Sequence, residues 1–137
     1  MEQKYEKLID AAFDSLKYCY TPYSKFNVGA ALLGKNQKIY QGCNIENASY
    51  TPTNCAERTA FFKAVSEGQK EFEAIAIVGG SNGNCETLCP PCGVCRQVMM
   101  EFCDPKTFKV ILADKHRNVK VFTLEEILPL GFGPSNL

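Results

Sequence analysis

The sequence lacks the features that mark two large classes of proteins. No run of apolar residues approaches the roughly 20 that a membrane-spanning helix needs. The 15 basic and 15 acidic residues cancel to a formal net charge of zero, and no basic run occurs. The electrostatic footprint of a nucleic-acid-binding protein is therefore missing.

The first ten residues do not have the pattern of a secretory signal. The segment MEQKYEKLID mixes both charge signs and has no apolar stretch. We therefore expect a cytoplasmic protein, in a reducing compartment where structural disulfides are rare. A length of 137 residues with 45% hydrophobic content predicts one domain over residues 1–137, whose core needs no disulfide. The eight cysteines require another explanation.

Helical and strand patterns alternate along the chain. Apolar residues recur at helical spacing from Tyr5 to Leu16. The segment NCAERTAFFKAVSEG predicts a second helix, with Asn54 as N-cap and Gly68 as stop signal. A third helix should begin near Cys92, because the preceding prolines fit only a helix start. Five strands are predicted at FNVGAALLG, KIYQGCNI, EAIAIVGG, FKVILA and KVFTL. This order favours an α/β fold with helices covering a sheet.

The cysteines of LCPPCGVCRQ suggest a metal site. Cys92 and Cys95 would project from one helical turn, close enough to share an ion, although a C-x-x-C pair is also typical of a redox dithiol. The single histidine, His116, lies in the polar turn DKHRN and is better interpreted as a solvated loop residue. Cys55 is the favoured third ligand, because it also begins a predicted helix, where the N-terminal partial charge stabilises thiolate.

Two alternatives remain open for these thiols. Cys89, Cys92, Cys95 and one further cysteine would make a closed structural site. Without any metal, the cysteines would be small buried apolar residues, which is the preferred interpretation of Cys19, Cys43 and Cys103. Cys85 is expected to be a loop thiol.

Longer segments resemble one enzyme family. CAE and PCGVCRQ together are the signature of zinc-dependent nucleoside and nucleotide deaminases. The segments YTPYSKFNVGAALL, GCNIENASYTPTNCAERTAFFKAVSEG, PPCGVCRQVMMEF and ILPLGFGPSNL are similar, in order, to cytidine deaminases of the short, three-cysteine type. The resemblance covers nearly the whole chain.

The resemblance implies a role for each matching residue. Cys55, Cys92 and Cys95 would bind one Zn²⁺ per subunit, and Glu57 would be the catalytic proton shuttle. The substrate-binding positions would be Phe26, Asn44, Glu46, Ala56 and Phe132. A backbone group of Cys92 would also bind the base, and Phe132 would come from a neighbouring subunit. The implied fold is a three-layer α/β/α sandwich around a central mixed sheet of about five strands, assembled as a homotetramer.

The implied reaction converts cytidine and deoxycytidine to uridine and deoxyuridine in pyrimidine salvage. Zinc would lower the pKa of a bound water toward 7, and the resulting hydroxide would attack carbon 4 while Glu57 moves protons. The charges of three thiolates and Zn²⁺ sum to −1, and this negative charge makes the bound water less acidic. We therefore expect positive charge from the helix N-termini and from Arg58, hydrogen-bonded to a ligand sulfur, to offset it, with Gln97 as a further aid. Arg96 also lies beside the ligands in sequence.

Two other functions remain possible from the sequence. A deaminase of polynucleotides would need a basic groove, which the neutral charge disfavours. A structural zinc module without catalysis would need four protein ligands. The leading prediction is an enzyme that acts on free nucleosides, with no nucleic-acid or membrane partner.

Overall fold

Five strands form one mixed sheet at the centre of the fold, in a computed structural model that describes all residues 1–137. Their bounds are β1 (Phe26–Gly34), β2 (Ile39–Cys43), β3 (Phe72–Ser81), β4 (Lys109–Ala113) and β5 (Val119–Thr123). The spatial order is β2-β1-β3-β4-β5. Only β3 and β4 run parallel, and the other neighbouring pairs are antiparallel.

Helices cover both faces of this sheet. They are α1 (Gln3–Ser15), α2 (Ala56–Ser66), α3 (Gly93–Phe102) and the short α4 (Leu124–Ile127). Alternate strand residues point to opposite faces: Ala30 and Leu32 join the core under α2 and α3, whereas Ala31 and Leu33 join the core under α1. The predicted three-layer α/β/α sandwich is therefore confirmed. No helix has the length and apolar character required to cross a membrane.

The predicted elements are present, with one change at a helix start. The N-cap of α2 is Cys55, not Asn54. Asn54 is held in extended backbone by two hydrogen bonds with Ile45, of 2.9 and 3.0 Å, so the helix begins one residue later. The helix ends at Ser66, and Gly68 follows with a φ of +92°, which glycine adopts readily.

Contact between backbones fixes α2 on the sheet. A Cβ added to Gly42 of β2 would lie 2.3 Å from the carbonyl oxygen of Ala56 and 2.6 Å from the backbone nitrogen of Ala60. Only glycine permits this approach. The first turn of α2, which carries several predicted site residues, is thus set directly against the sheet.

Candidate active site

The N-termini of α2 and α3 bring three cysteines together. Cys55 is the N-cap of α2, and Cys92 is the N-cap of α3. Cys95 lies in the first turn of α3, and its backbone N–H donates to Cys92 Sγ at 3.5 Å. Their sulfur atoms all lie within 4.8 Å of one another, and no other group of histidine, cysteine or acidic side chains is so closely clustered.

The cluster has the geometry and donor chemistry of a zinc site. Cys55 Sγ and Cys92 Sγ are 3.8 Å apart. Tetrahedral thiolate ligation, with Zn–S bonds of about 2.3 Å, separates sulfur atoms by about 3.8 Å. All three cysteines are free thiols, and each sits where a helix N-terminus favours negative charge. Three protein ligands leave one position open.

Nearby donors stabilise negative charge on Cys55. Its pKa is lowered, first by a hydrogen bond from the Cys95 thiol, whose own pKa is raised by the same bond, with Arg58 and Cys92 contributing further. Nη2 of Arg58 donates to Cys55 Sγ at 3.2 Å. Burial disfavours the charged guanidinium, but its bonds to the sulfur atoms of Cys55 and Cys95 prevail and raise the pKa of Arg58. Arg58 is therefore a permanent positive charge at the sulfur cluster.

Glu57 is the buried acid of the site. It is 4% exposed and lies in the first turn of α2. Burial raises the pKa of its carboxyl to about 7, and the negative charge of Cys55 adds to that effect. A carboxyl that exchanges protons near neutral pH is suited to general acid–base chemistry. The preceding residue, Ala56, is fully buried and opens α2, so its N–H has no partner within the helix.

Glu57 faces a cavity of about 230 Å³. The wall combines both helix N-termini with β1 and the segment after β2. It comprises Ser24, Phe26, Val28, Asn44, Thr53, Asn54, Cys55, Glu57, Cys89, Pro90 and Cys92. The structure thus places Phe26, Asn44, Glu57 and two of the three metal-ligand candidates around one space. Ser24, Thr53 and Pro90 line it as well, although no sequence pattern singled them out.

Asn44 links the cavity to the backbone of β1. Its Oδ1 accepts from the Val28 N–H at 2.9 Å, and its Nδ2 donates to the Phe26 carbonyl at 2.8 Å. An amide has two donor hydrogens and two acceptor lone pairs, so one of each remains for a ligand. These two bonds hold the Asn44 side chain in place beside Phe26.

Glu46 lies beside the cavity and holds in place the turn that contains Tyr23 and Ser24. Its carboxylate accepts from the backbone N–H groups of Tyr23 and Ser24 at 3.0 and 3.2 Å, and from the Ser24 hydroxyl. The bond from the Ser24 hydroxyl lowers the pKa of Glu46 more than its other contacts do. Ser24 in turn lines the cavity, so Glu46 also positions a wall residue.

Gln97 and Phe132 contact each other instead of this cavity. Nε2 of Gln97 donates to the carbonyl of Phe132 at 2.8 Å, and no hydrogen bond joins Gln97 to a cysteine. The Phe132 ring is 58% exposed. Arg96 donates to the carbonyls of Pro91 and Ile127 at 2.8 and 2.5 Å, which ties the start of α3 to α4. Within one subunit, Arg58 alone of these polar residues reaches sulfur.

The remaining cysteines lie outside the sulfur cluster. Cys89 packs on Gly79 of β3, so the closed set with Cys89 as a ligand is not formed. Cys19, Cys43 and Cys103 are buried or half-buried free thiols, in keeping with their apolar interpretation. Cys85, expected as a loop thiol, is 1% exposed because its loop folds back onto the core under α1. His116 is exposed in its turn.

Comparison with known proteins identifies the family of this site. Residues 2–111 match the family described as the cytidine and deoxycytidylate deaminase zinc-binding region. The chain is 47% identical over 132 residues to cytidine deaminase of Sporosarcina psychrophila, covering 96% of this chain and 93% of that protein. It is 48% identical over 127 residues to cytidine deaminase of Halalkalibacterium halodurans, covering 93% of this chain and 92% of that protein.

Solved structures give the same result. The crystal structure of cytidine deaminase from Burkholderia pseudomallei superposes with a TM-score of 0.85 at 45% identity, covering 96% of this chain and 100% of that chain. The crystal structure of cytidine deaminase from Mycobacterium tuberculosis superposes with a TM-score of 0.80 at 32% identity, covering 96% of this chain and 99% of that chain. The sulfur cluster is the family's zinc site, and the chain is an enzyme that belongs to the cytidine and deoxycytidylate deaminase family.

Proposed function

We propose that the chain deaminates cytidine and deoxycytidine hydrolytically, giving uridine or deoxyuridine and ammonia. One observation carries this proposal: the buried Glu57 carboxyl faces a cavity that also exposes the sulfur site. A volume of about 230 Å³ is below the roughly 300–1,000 Å³ of common ligand pockets, which favours a small substrate. The neutral net charge favours a free nucleoside over a polynucleotide.

Glu57 is the residue that moves protons. Zinc, when bound by Cys55, Cys92 and Cys95, supplies an activated water as the nucleophile. Glu57 accepts a proton from that water and delivers it to ring nitrogen 3 of the pyrimidine. The water oxygen bonds to carbon 4, and Glu57 then takes the second proton from that new hydroxyl and donates it to the amino group, so that the bond from carbon 4 to nitrogen breaks and ammonia leaves. The oxygen remains on carbon 4, and the carboxylate returns to its starting state.

The substrate is held by residues on two sides of the cavity. Phe26 offers an aromatic surface, and Asn44 keeps one donor hydrogen and one lone pair free for a sugar hydroxyl. Glu46 takes the other hydroxyl, and its bonds to Tyr23 and Ser24 orient it for that contact. The free N–H of Ala56 and a backbone group of Cys92 recognise the base.

Arg58 offsets the charge of the three thiolates. Its bond to Cys55 supports this role, because donating to a ligand sulfur draws negative charge away from the metal. The expected contribution of Gln97 is indirect, through the segment that contains Phe132. Gln97 fixes the backbone of that segment, while the Phe132 ring is left exposed for another surface.

The assembly we propose is a homotetramer in which Phe132 covers the base in a neighbouring subunit. Exposed apolar side chains support it, since Tyr50, Leu130 and Phe132 are 76%, 104% and 58% exposed in the isolated chain. Residues 1–137 act as one catalytic domain per subunit. Pyrimidine salvage in the cytoplasm is the proposed setting, and eight free thiols suit such a reducing compartment.

Ammonia release from cytidine tests the proposal. The zinc-loaded protein should release one ammonia per uridine formed, from cytidine and from deoxycytidine, and should leave single-stranded DNA unchanged. Glu57→Gln keeps the size of the side chain but cannot shuttle protons, so release should stop while one zinc per chain remains bound. Zinc binding without ammonia release from the unmodified chain would indicate a structural site and overturn the proposal.

A further inference from the structure

A second cavity of about 340 Å³ adjoins the one that contains Glu57. Phe26, Cys89 and Pro90 line both spaces and therefore form the wall between them. The far side of the second cavity is made by the end of β3 and the loop that follows it, including Gly79. Of the three wall residues, Cys89 has the smallest side chain.

Cys89 fits into this wall because the residue of β3 that it packs against, Gly79, has no side chain. A Cβ added to Gly79 would lie 2.8 Å from Cys89 Sγ and 3.2 Å from Cys89 Cβ. The sulfur thus rests against the Gly79 backbone, and Val28 Cγ2 lies 3.1 Å from the same Cβ position. Burial, reinforced by the charge of Glu57, raises the pKa of Cys89 to about 12. The thiol is therefore neutral at physiological pH and presents a compact, weakly polar surface to the cavity.

The same wall bounds the space in which a ligand must meet Glu57. Glu57 is 4% exposed and lines the smaller cavity, so a base that hydrogen-bonds to its carboxyl lies inside that space. A base that satisfies this carboxyl has to fit between it and the lining that includes Cys89. The position of the Cys89 sulfur consequently limits the width of that base.

We propose that Cys89 is a specificity-determining residue whose sulfur sets the largest pyrimidine base that reaches Glu57. This rests on the proposed function, because it assumes that a cytosine ring occupies the cavity. Truncating Cys89 joins the two spaces and admits cytidines with an alkyl group on ring carbon 5. That carbon neighbours the reacting carbon, and substituting it leaves nitrogen 3, the amino group and the sugar unchanged.

The test compares kcat/KM for cytidine with kcat/KM for its 5-methyl, 5-ethyl and 5-propyl derivatives. One methylene in a pocket changes such ratios by about tenfold or more. In the unmodified enzyme the values should fall along the series. Cys89→Ala should raise the 5-propyl to cytidine ratio by about tenfold, mainly through a lower KM for the 5-propyl substrate.

A second variant moves the same wall in the opposite direction. Gly79→Ala adds a methyl group where Cys89 Sγ now packs and displaces the sulfur, so the 5-methyl to cytidine ratio should fall. Combining it with Cys89→Ala should restore that ratio. Cys103→Ala is the matched control, because it removes a half-buried thiol beyond the opposite end of α3 and should leave both ratios unchanged.

The outcomes separate this proposal from the proposed function. If cytidine is deaminated but Cys89→Ala and Gly79→Ala both keep the unmodified ratios, the role of Cys89 is wrong and the function stands. Should Cys89→Ala fail to fold, an unchanged 5-methyl ratio in Gly79→Ala alone overturns the role. If the unmodified enzyme releases no ammonia from cytidine, the function itself fails.

Discussion

Cys55 Sγ and Cys92 Sγ lie 3.8 Å apart, although 37 positions separate the two residues along the chain. Each is the N-cap of a helix, and both helices rest on the same face of the sheet. The spacing of the sulfur atoms therefore depends on how α2 sits relative to α3. A change that moves either helix should weaken the metal site without altering any ligand.

Gly42→Ala should disturb the site in this way. The new methyl group would overlap the backbone of Ala56 and Ala60, so α2 must shift. We expect a loss of about 1–3 kcal/mol in the free energy of unfolding, as for other overpacked cores, together with weaker zinc binding. Denaturant unfolding and competition with a chelator measure the two effects. Unchanged zinc affinity would show that α2 is not fixed by this contact.

Gly93→Ala is the matched control for that variant. Gly93 is the first residue of α3 and directly follows Cys92, yet an added Cβ there would meet no atom within 4 Å. The substitution should stabilise the protein by about 0.4–1 kcal/mol, because alanine restricts the unfolded chain. Zinc affinity should remain the same. A loss of zinc in both glycine variants would point to a general sensitivity of the helix starts.

Arg58→Ala should lower activity while leaving the zinc ligands in place. The substitution removes a cation that donates to Cys55 at 3.2 Å. Changes to groups that support metal ligands commonly cost about 10–100-fold in activity or metal affinity. We expect a loss of that size in kcat or in zinc affinity, measured with cytidine and by chelator competition. Arg58→Lys, which keeps the charge, should recover part of it. Full turnover with an unchanged zinc affinity in Arg58→Ala would contradict the role.

Glu46→Ala should raise KM for cytidine by about 10–100-fold, the range expected when a hydrogen bond to a charged group is lost. The value of kcat should change much less, because Glu46 is proposed to bind the sugar and not the reacting base. Glu46 has two proposed roles, binding the sugar and holding the turn at Tyr23 and Ser24. Ser24→Ala separates them, since it removes one of the hydrogen bonds that hold the turn and leaves the Glu46 carboxylate in place. An equal rise in KM for both variants would mean that Glu46 acts through the turn alone.

Tyr5→Phe should reduce stability without affecting catalysis. The buried Tyr5 hydroxyl donates to Glu73 at 2.7 Å and accepts from Lys109 Nζ at 3.3 Å, which joins α1 to β3 and β4. Loss of a buried hydrogen bond should cost about 0.5–1.5 kcal/mol of unfolding free energy, with kcat for cytidine unaltered. Tyr18→Phe serves as the control, because Tyr18 is 65% exposed and a hydrogen bond at an exposed position contributes little to stability. Equal stability of the two variants would exclude the role of the Tyr5 hydroxyl.

The fold was predictable from the sequence because local signals agreed with the tertiary arrangement. Apolar residues at helical spacing predicted α1, and short apolar segments bounded by glycine or polar turns predicted the strands. The error at Asn54 has a tertiary cause: its backbone pairs with Ile45, which no local capping rule reveals. The burial of Cys85 similarly depends on a loop that folds back onto the core.

The metal ligands were predictable for a simpler reason than the rest of the site. Cys92 and Cys95 share one helical turn, and Cys55 shares their position at a helix start, so short-range patterns place all three. The bracing of Glu46 by Ser24 and the packing of Cys89 on Gly79 join residues distant in sequence. Such contacts leave no periodic or spacing signal. The bond between Gln97 and the Phe132 carbonyl belongs to the same class.

X-ray absorption at the zinc edge distinguishes a three-sulfur catalytic site from a four-sulfur structural one. We expect one zinc per chain with three sulfur neighbours at about 2.3 Å and one oxygen neighbour at about 2.0 Å, which is the open position of a catalytic site. Replacing Cys89 with alanine should leave that spectrum unchanged, whereas replacing Cys55 should remove one sulfur. Four sulfur neighbours in the unmodified enzyme, with one lost on replacement of Cys89, would show a closed structural site and exclude a zinc-activated water.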